Sequence, residues 1–237
     1  MQPSPGLVLA QWGAGMIAIV FVVNRWKVTS PGYAWLVDAC AAALALFAWA
    51  AGGRSEPALV LTAGAAALAI VFSAVKLRGA PQAVAEAVGA AAGMWVCARL
   101  AYTGADPGWI AAVRALAGAA FLGAVTDAMI LGHWYLIDPK LPKVAIRRLN
   151  VVAAGTLVAF GLTLVVPPDS VLTAFGSATL MALGWVATSL FCGILVFLVG
   201  RALREDGYAA VMSATGLLYV ATMVAVGVVV TGALAAR

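Results

Sequence analysis

The stretch PALVLTAGAAALAIVFSAV, residues 57–75, runs for nineteen residues without a charge and opens on a proline. A helix crossing the hydrocarbon core of a bilayer needs about 20 predominantly apolar residues. A spanning β-strand would be about ten residues of alternating polarity. Here the apolar residues are continuous and rich in Ala and Leu, and AAALALFAWAA at 41–51 repeats the pattern. Only helices and closed barrels satisfy their own backbone in lipid. The run therefore predicts a membrane helix.

Working outward, the remaining apolar runs separate at Pro, Gly and charged residues. They predict helices at about 6–23, 33–51, 82–101, 109–137, 149–166, 170–199 and 208–235, making eight with 57–75. All ten prolines fall at helix ends or between helices. The broken helices from which many transporters build a substrate site are not part of this pattern. Composition agrees: 65% of the 237 residues are hydrophobic and 10% charged. Soluble domains average about 45–50% apolar and about 25% charged. A water-soluble globule is excluded, and so is a disordered chain, which needs low hydrophobicity. The expected fold is an all-α polytopic membrane bundle forming a single domain over 1–237.

Charge sets the expected orientation. Arg25, Lys27, Lys76, Arg78, Lys140, Lys143, Arg147, Arg148, Arg201 and Arg204 fall in one set of alternate connections. Arg54, Arg99 and Arg237 fall in the other set or at the C-terminus, and Arg114 lies within the fifth helix. Basic residues mark cytoplasmic loops, so both termini are expected outside the cytoplasm, in the inner (cytoplasmic) membrane. The first residues lack the basic start of a secretory signal, so the first run is expected to remain as a helix. A net charge of +5 is explained by these loops, and no nucleic-acid partner is expected.

Ionisable groups within the spans are few, costly and candidates for function. Asp38, Glu86 and Asp127 lie in the half of their helices nearest the basic loops, and Asp127 sits about 27 Å along its helix at 1.5 Å per residue. The only histidine, His133, lies closer to that end. Around it, TDAMILGHWYLIDPKLPKVAIRR (126–148) combines aromatic Trp134 and Tyr135, two prolines, and the basic patch Lys140, Lys143, Arg147 and Arg148. Aromatics and bases there also suit a plain membrane interface. Asp127 and His133 are roughly 240° apart on a helix, so no direct couple between them is expected. Arg114 is expected to snorkel to the opposite interface or pair with Asp106 or Asp169.

A lone histidine excludes bis-histidine haem within the chain, and a haem or chlorophyll-type pigment on His133 is disfavoured. No metal site is expected. Cys40, Cys97 and Cys192 are spaced as small buried apolar residues. No hydrolase or nucleotide-binding motif is present, so independent catalysis is not expected. Gly89 and Gly93 form a GxxxG pair, which allows close helix approach. A faint echo between GMIAIVFVVNRWK (15–27) and AMILGHWYLIDPK (128–140) raises a four-plus-four duplication.

Two functions follow as expectations. The first is a subunit or assembly partner of a larger, respiratory-type membrane complex, with Asp38, Glu86, Asp127, His133, Trp134 and Tyr135 binding a quinone or lipid head group. The second is a transporter or channel for protons or a small solute, since intramembrane carboxylates serve as proton relays. Reporter fusions test the topology: tags at either terminus are expected outside the cytoplasm and a tag after Lys140 inside it.

Overall fold

The computed structural model describes residues 4–53, 56–75, 79–102, 108–135, 137–166 and 179–235. Eight helices among them are long and apolar enough to cross a membrane. They are α1 (Pro5–Arg25), α2 (Pro31–Ala48, extended by a π-helical turn at Trp49–Gly53), α3 (Pro57–Ala74), α4 (Ala80–Ala101), α5 (Gly108–Trp134), α6 (Val144–Val165), α7 (Thr179–Ala202) and α8 (Tyr208–Ala235). No strand occurs among the described residues. The chain is a multi-pass helical membrane protein.

Proline opens α1, α2 and α3, where its missing N–H is no loss and its fixed φ suits the first turn. Ser4 completes the start of α1 by accepting from Leu7 N at 3.1 Å. Two boundaries differ from the sequence expectation. The fifth helix stops at Trp134, short of 137, ahead of the turns around Pro139 and Pro142. The sixth begins at Val144, before 149, because Arg147 and Arg148 belong to its first turns rather than to a loop. The expected start of the seventh helix, 170–178, lies outside the described residues.

The helices pack as two rings of four. In the first, α1 meets α2, α2 meets α3, α3 meets α4 and α4 returns to α1. The second repeats this order with α5, α6, α7 and α8. The rings join across α1 and α5, the two most buried spans.

Small residues make the junction. A Cβ on Gly15 would fall inside the Ala119 carbonyl, and one on Gly123 would overlap the Gly15 backbone. On other faces of α1, a Cβ on Gly13 would come within 3.0 Å of the Ala41 carbonyl oxygen, and one on Gly93 within 2.7 Å of Ala14 Cβ. Gly89 packs beside Ile17 and Ala65. The GxxxG pair thus serves packing within this chain. Lipid tails give apolar helices no hydrophobic reason to associate, so close backbone approach supplies the dispersion that holds them.

Large apolar side chains such as Phe47, Trp95, Val151 and Phe197 are exposed on the outside, as a lipid-facing surface requires. One end of the bundle carries the basic residues. There Lys143 Nζ donates to the Glu205 carbonyl at 2.9 Å, Arg147 Nε donates to the Leu203 carbonyl at 3.0 Å, and the Arg148 guanidinium stands 5.6 Å from the Trp26 ring. At the opposite end Arg99 pairs with Glu56 at 3.6 Å.

Substitution at the junction should separate packing from mere helix propensity. Gly15→Val is expected to lower the unfolding midpoint in detergent sharply, since overpacking costs about 1–3 kcal/mol or more. Gly64→Ala, where a Cβ meets nothing within 4 Å, is expected to leave the midpoint unchanged or raise it slightly.

Candidate functional site

Asp38 and Glu86 of the first ring and Asp127 of the second come together beside the α1–α5 junction. Asp38 is seven residues into α2, Glu86 six into α4, and Asp127 seven from the end of α5. At 1.5 Å per residue each lies about 10 Å inside the basic end, so three helices deliver carboxyls to one level. Their exposures are 1%, 0% and 0%. Asp127 faces Asp38 and the Tyr33 hydroxyl within electrostatic reach, and Asp38 in turn faces Glu86.

The three acids are supported unequally. Glu86 Oε1 accepts from Asn24 Nδ2 at 2.7 Å and from Gln82 Nε2 at 2.8 Å, while Oε2 has no partner. Neither oxygen of Asp38 or Asp127 has a hydrogen-bond partner among the described residues. The Tyr33 hydroxyl lies beside Asp127. Arg25, which is within electrostatic reach of Glu86, has Nη1 donating to the Phe21 carbonyl at 2.6 Å and its guanidinium over the Phe21 ring. A charge buried without a partner is costly, so this layer needs a proton or a cation as its complement.

A pocket of about 590 Å³ leads to the layer from the basic end. Arg25, Lys27, Thr29 and Ser30 stand at its mouth, with Asn24, Gln82 and Glu86 within. Lys27 turns the chain there with φ of 54°. Continuing toward the opposite end, polar contacts follow the α1–α5 seam. Thr126 Oγ1 accepts from Trp12 Nε1 at 2.7 Å, and Gln11 Nε2 donates to the Ala115 carbonyl at 3.0 Å. Beyond them Arg114 Nε donates to the Thr163 carbonyl at 3.0 Å. Arg114 is 2% exposed. Asp106 and Asp169 lie outside the described residues.

The remaining candidates go elsewhere. His133 is exposed on the outer face and meets Tyr219 of α8, with Nδ1 3.0 Å from the hydroxyl and the rings edge to face. Trp134 lies over Gly32 at the start of α2, and its indole N–H has no partner. Tyr135 is buried in the core, its hydroxyl without a partner. Lys143 and Arg147 satisfy carbonyls at the end of α7, Arg148 stacks near Trp26, and Lys140 is exposed. Sequence reading did not single out Asn24, Tyr33 or Gln82. Gln82 stands one turn before Glu86 on the same helix face, and that spacing was the available signal. No group of three or more potential metal ligands occurs among the described residues.

Comparison with family models, curated proteins and solved structures found no match.

Stability distinguishes acids kept for function from acids kept for the fold. Asp38→Asn and Asp127→Asn break no hydrogen bond, and each is expected to leave the unfolding midpoint in detergent unchanged or raised. Glu86→Leu leaves the Gln82 and Asn24 amides without their acceptor and is expected to lower it, since an orphaned buried donor costs about 1–3 kcal/mol.

Proposed function

We propose that this chain is a membrane transport protein that carries protons, alone or coupled to a small solute, through the acid layer of α2, α4 and α5. One observation carries the reading: three helices bring three buried carboxyls to one depth, four of their six oxygens belong to the unpartnered Asp38 and Asp127, and a pocket opens on Glu86. Ionisable groups persist inside membrane helices chiefly where they act as relays or ligands. Glu86 exchanges protons with the aqueous pocket, and Asp38 and Asp127 hold the proton within the bundle. Thr126 and Gln11 on the α1–α5 seam, with Arg114 bonded to Thr163 of α6 beyond them, supply polar positions toward the far end. Unbroken helices suit a relay, which needs only side-chain movement and a few waters, better than passage of a bulky solute. With the basic end in the cytoplasm, the acids would lie in the inner leaflet of the cytoplasmic membrane.

A second reading rests on the His133–Tyr219 pair. A polar pair on the outer surface at a helix end suits contact with a partner subunit, a quinone carbonyl or a lipid head group in a larger membrane complex. Purification from native membranes in mild detergent separates the two readings. A stable partner or retained quinone supports the second, and an isolated chain carrying neither counts against it.

Proteoliposomes with a trapped pH dye test the first reading. The wild-type chain is expected to dissipate an imposed pH gradient faster than empty vesicles. Asp127→Asn should reduce the rate to that of empty vesicles, and His133→Ala should leave it unchanged. An unaltered rate in Asp127→Asn removes the acid layer from the mechanism.

A further inference from the structure

The second ring is open along one seam. Where α2 and α3 close the first ring, their counterparts α6 and α7 pack more loosely and leave a groove of about 730 Å³. Small residues Ala154, Gly193 and Gly200 line it together with apolar side chains such as Val158 and Phe197. Along α6 it extends from Arg147 to Val158, and on the other side from Arg204, just past the end of α7, back to Gly193. The α6 side covers eleven helical steps, about 16 Å at 1.5 Å per residue. That is about half of the roughly 30 Å hydrocarbon core, the depth of one leaflet.

Charge is confined to one end of this groove. Arg147, Arg201 and Arg204 stand at the basic end of the bundle, and all three are exposed. Arg147 is held at the mouth by its bonds to the Leu203 carbonyl. Lys143 is nearby on the Glu205 carbonyl. The acids in the same connection, Glu205 and Asp206, are exposed and do not line the groove. One turn inside Arg147, Asn150 is 8% exposed and lines the groove; its Nδ2 donates to the Val196 carbonyl at 3.1 Å and its Oδ1 has no partner. Three guanidinium groups suited to phosphate thus stand at one end of an otherwise largely apolar groove.

A second outer groove sharpens the contrast. Between α3 and α4, about 760 Å³ is lined only by apolar residues, Gly64 and Pro81 among them. It can take an acyl chain but offers no handle for a head group.

We propose that the α6–α7 groove binds one anionic phospholipid of the leaflet at the basic end. Its phosphate meets Arg201, Arg204 and Arg147, and one acyl chain lies over Ala154 and Gly193. A spanning helix of a partner would need the full height of the core, and the groove offers half of it. This inference does not depend on proton transport.

Native mass spectrometry of the chain in nanodiscs tests it, using phosphatidylglycerol and phosphatidylcholine as the probes. The wild-type chain is expected to retain one phosphatidylglycerol in preference to phosphatidylcholine. Arg201→Gln with Arg204→Gln, both at exposed positions, should remove that preference, and Ala154→Phe should remove the retained lipid of either class. Equal retention of the two lipids by the wild type, or a preference that survives the double arginine substitution, overturns the proposal. So does loss of a co-purified polypeptide, rather than lipid, on Ala154→Phe.

Discussion

The close contact of α1 and α5 is the constraint on which the rest of the structure depends. Water is absent from the bilayer core, so burying apolar surface gives helices little reason to associate, and backbone approach takes over. Gly15 and Gly123 permit that approach where any side chain would overlap the opposite backbone. Once α1 is fixed against α5, Gly13 sets α2 close on a second face and Ala14 receives Gly93 of α4 on a third. The helix nearest the N-terminus thus organises the first ring and ties it to the second.

The acid layer is a consequence of this geometry as well as a cost to it. Asp38, Glu86 and Asp127 sit on the three helices that surround α1. Tight packing there buries all three side chains, and only Glu86 receives amide donors. Asp38 has no hydrogen-bond partner among the described residues, and Asp127 has beside it only the Tyr33 hydroxyl. Their retention in a site so poor in compensation is what directs attention to proton chemistry. The rings also differ usefully. The first is closed and holds Asp38 and Glu86, while the second supplies Asp127 from α5 and parts between α6 and α7 toward lipid.

Much of the fold was legible because hydrophobic length alone counts membrane helices, and prolines such as Pro31 and Pro57 mark their starts. Gly89 and Gly93 were legible as a site of close approach, though not their partners Ile17, Ala65 and Ala14. The shared depth of the three acids followed from residue counting. Their shared direction did not, since these helices are apolar nearly all round and carry little sign of which face turns inward. His133 illustrates the same gap: its depth fits the acids, yet its face looks outward to Tyr219. Arg147 was misplaced for another reason. Charge suggested a loop, but it lies in the first turns of α6 with its guanidinium on the Leu203 carbonyl.

The meeting of α2 and α5 through Asp38 and Asp127 is the central claim, and its most direct measurement is chemical cross-linking in native membranes. In a chain with Cys40, Cys97 and Cys192 replaced, Asp38→Cys and Asp127→Cys should be joined by a short thiol cross-linker. Glu56→Cys with Arg99→Cys, at a contact of 3.6 Å, serves as the reference pair. Efficient joining of both pairs is the predicted result. Joining of the reference pair alone would contradict the account, since it would place the two aspartates apart.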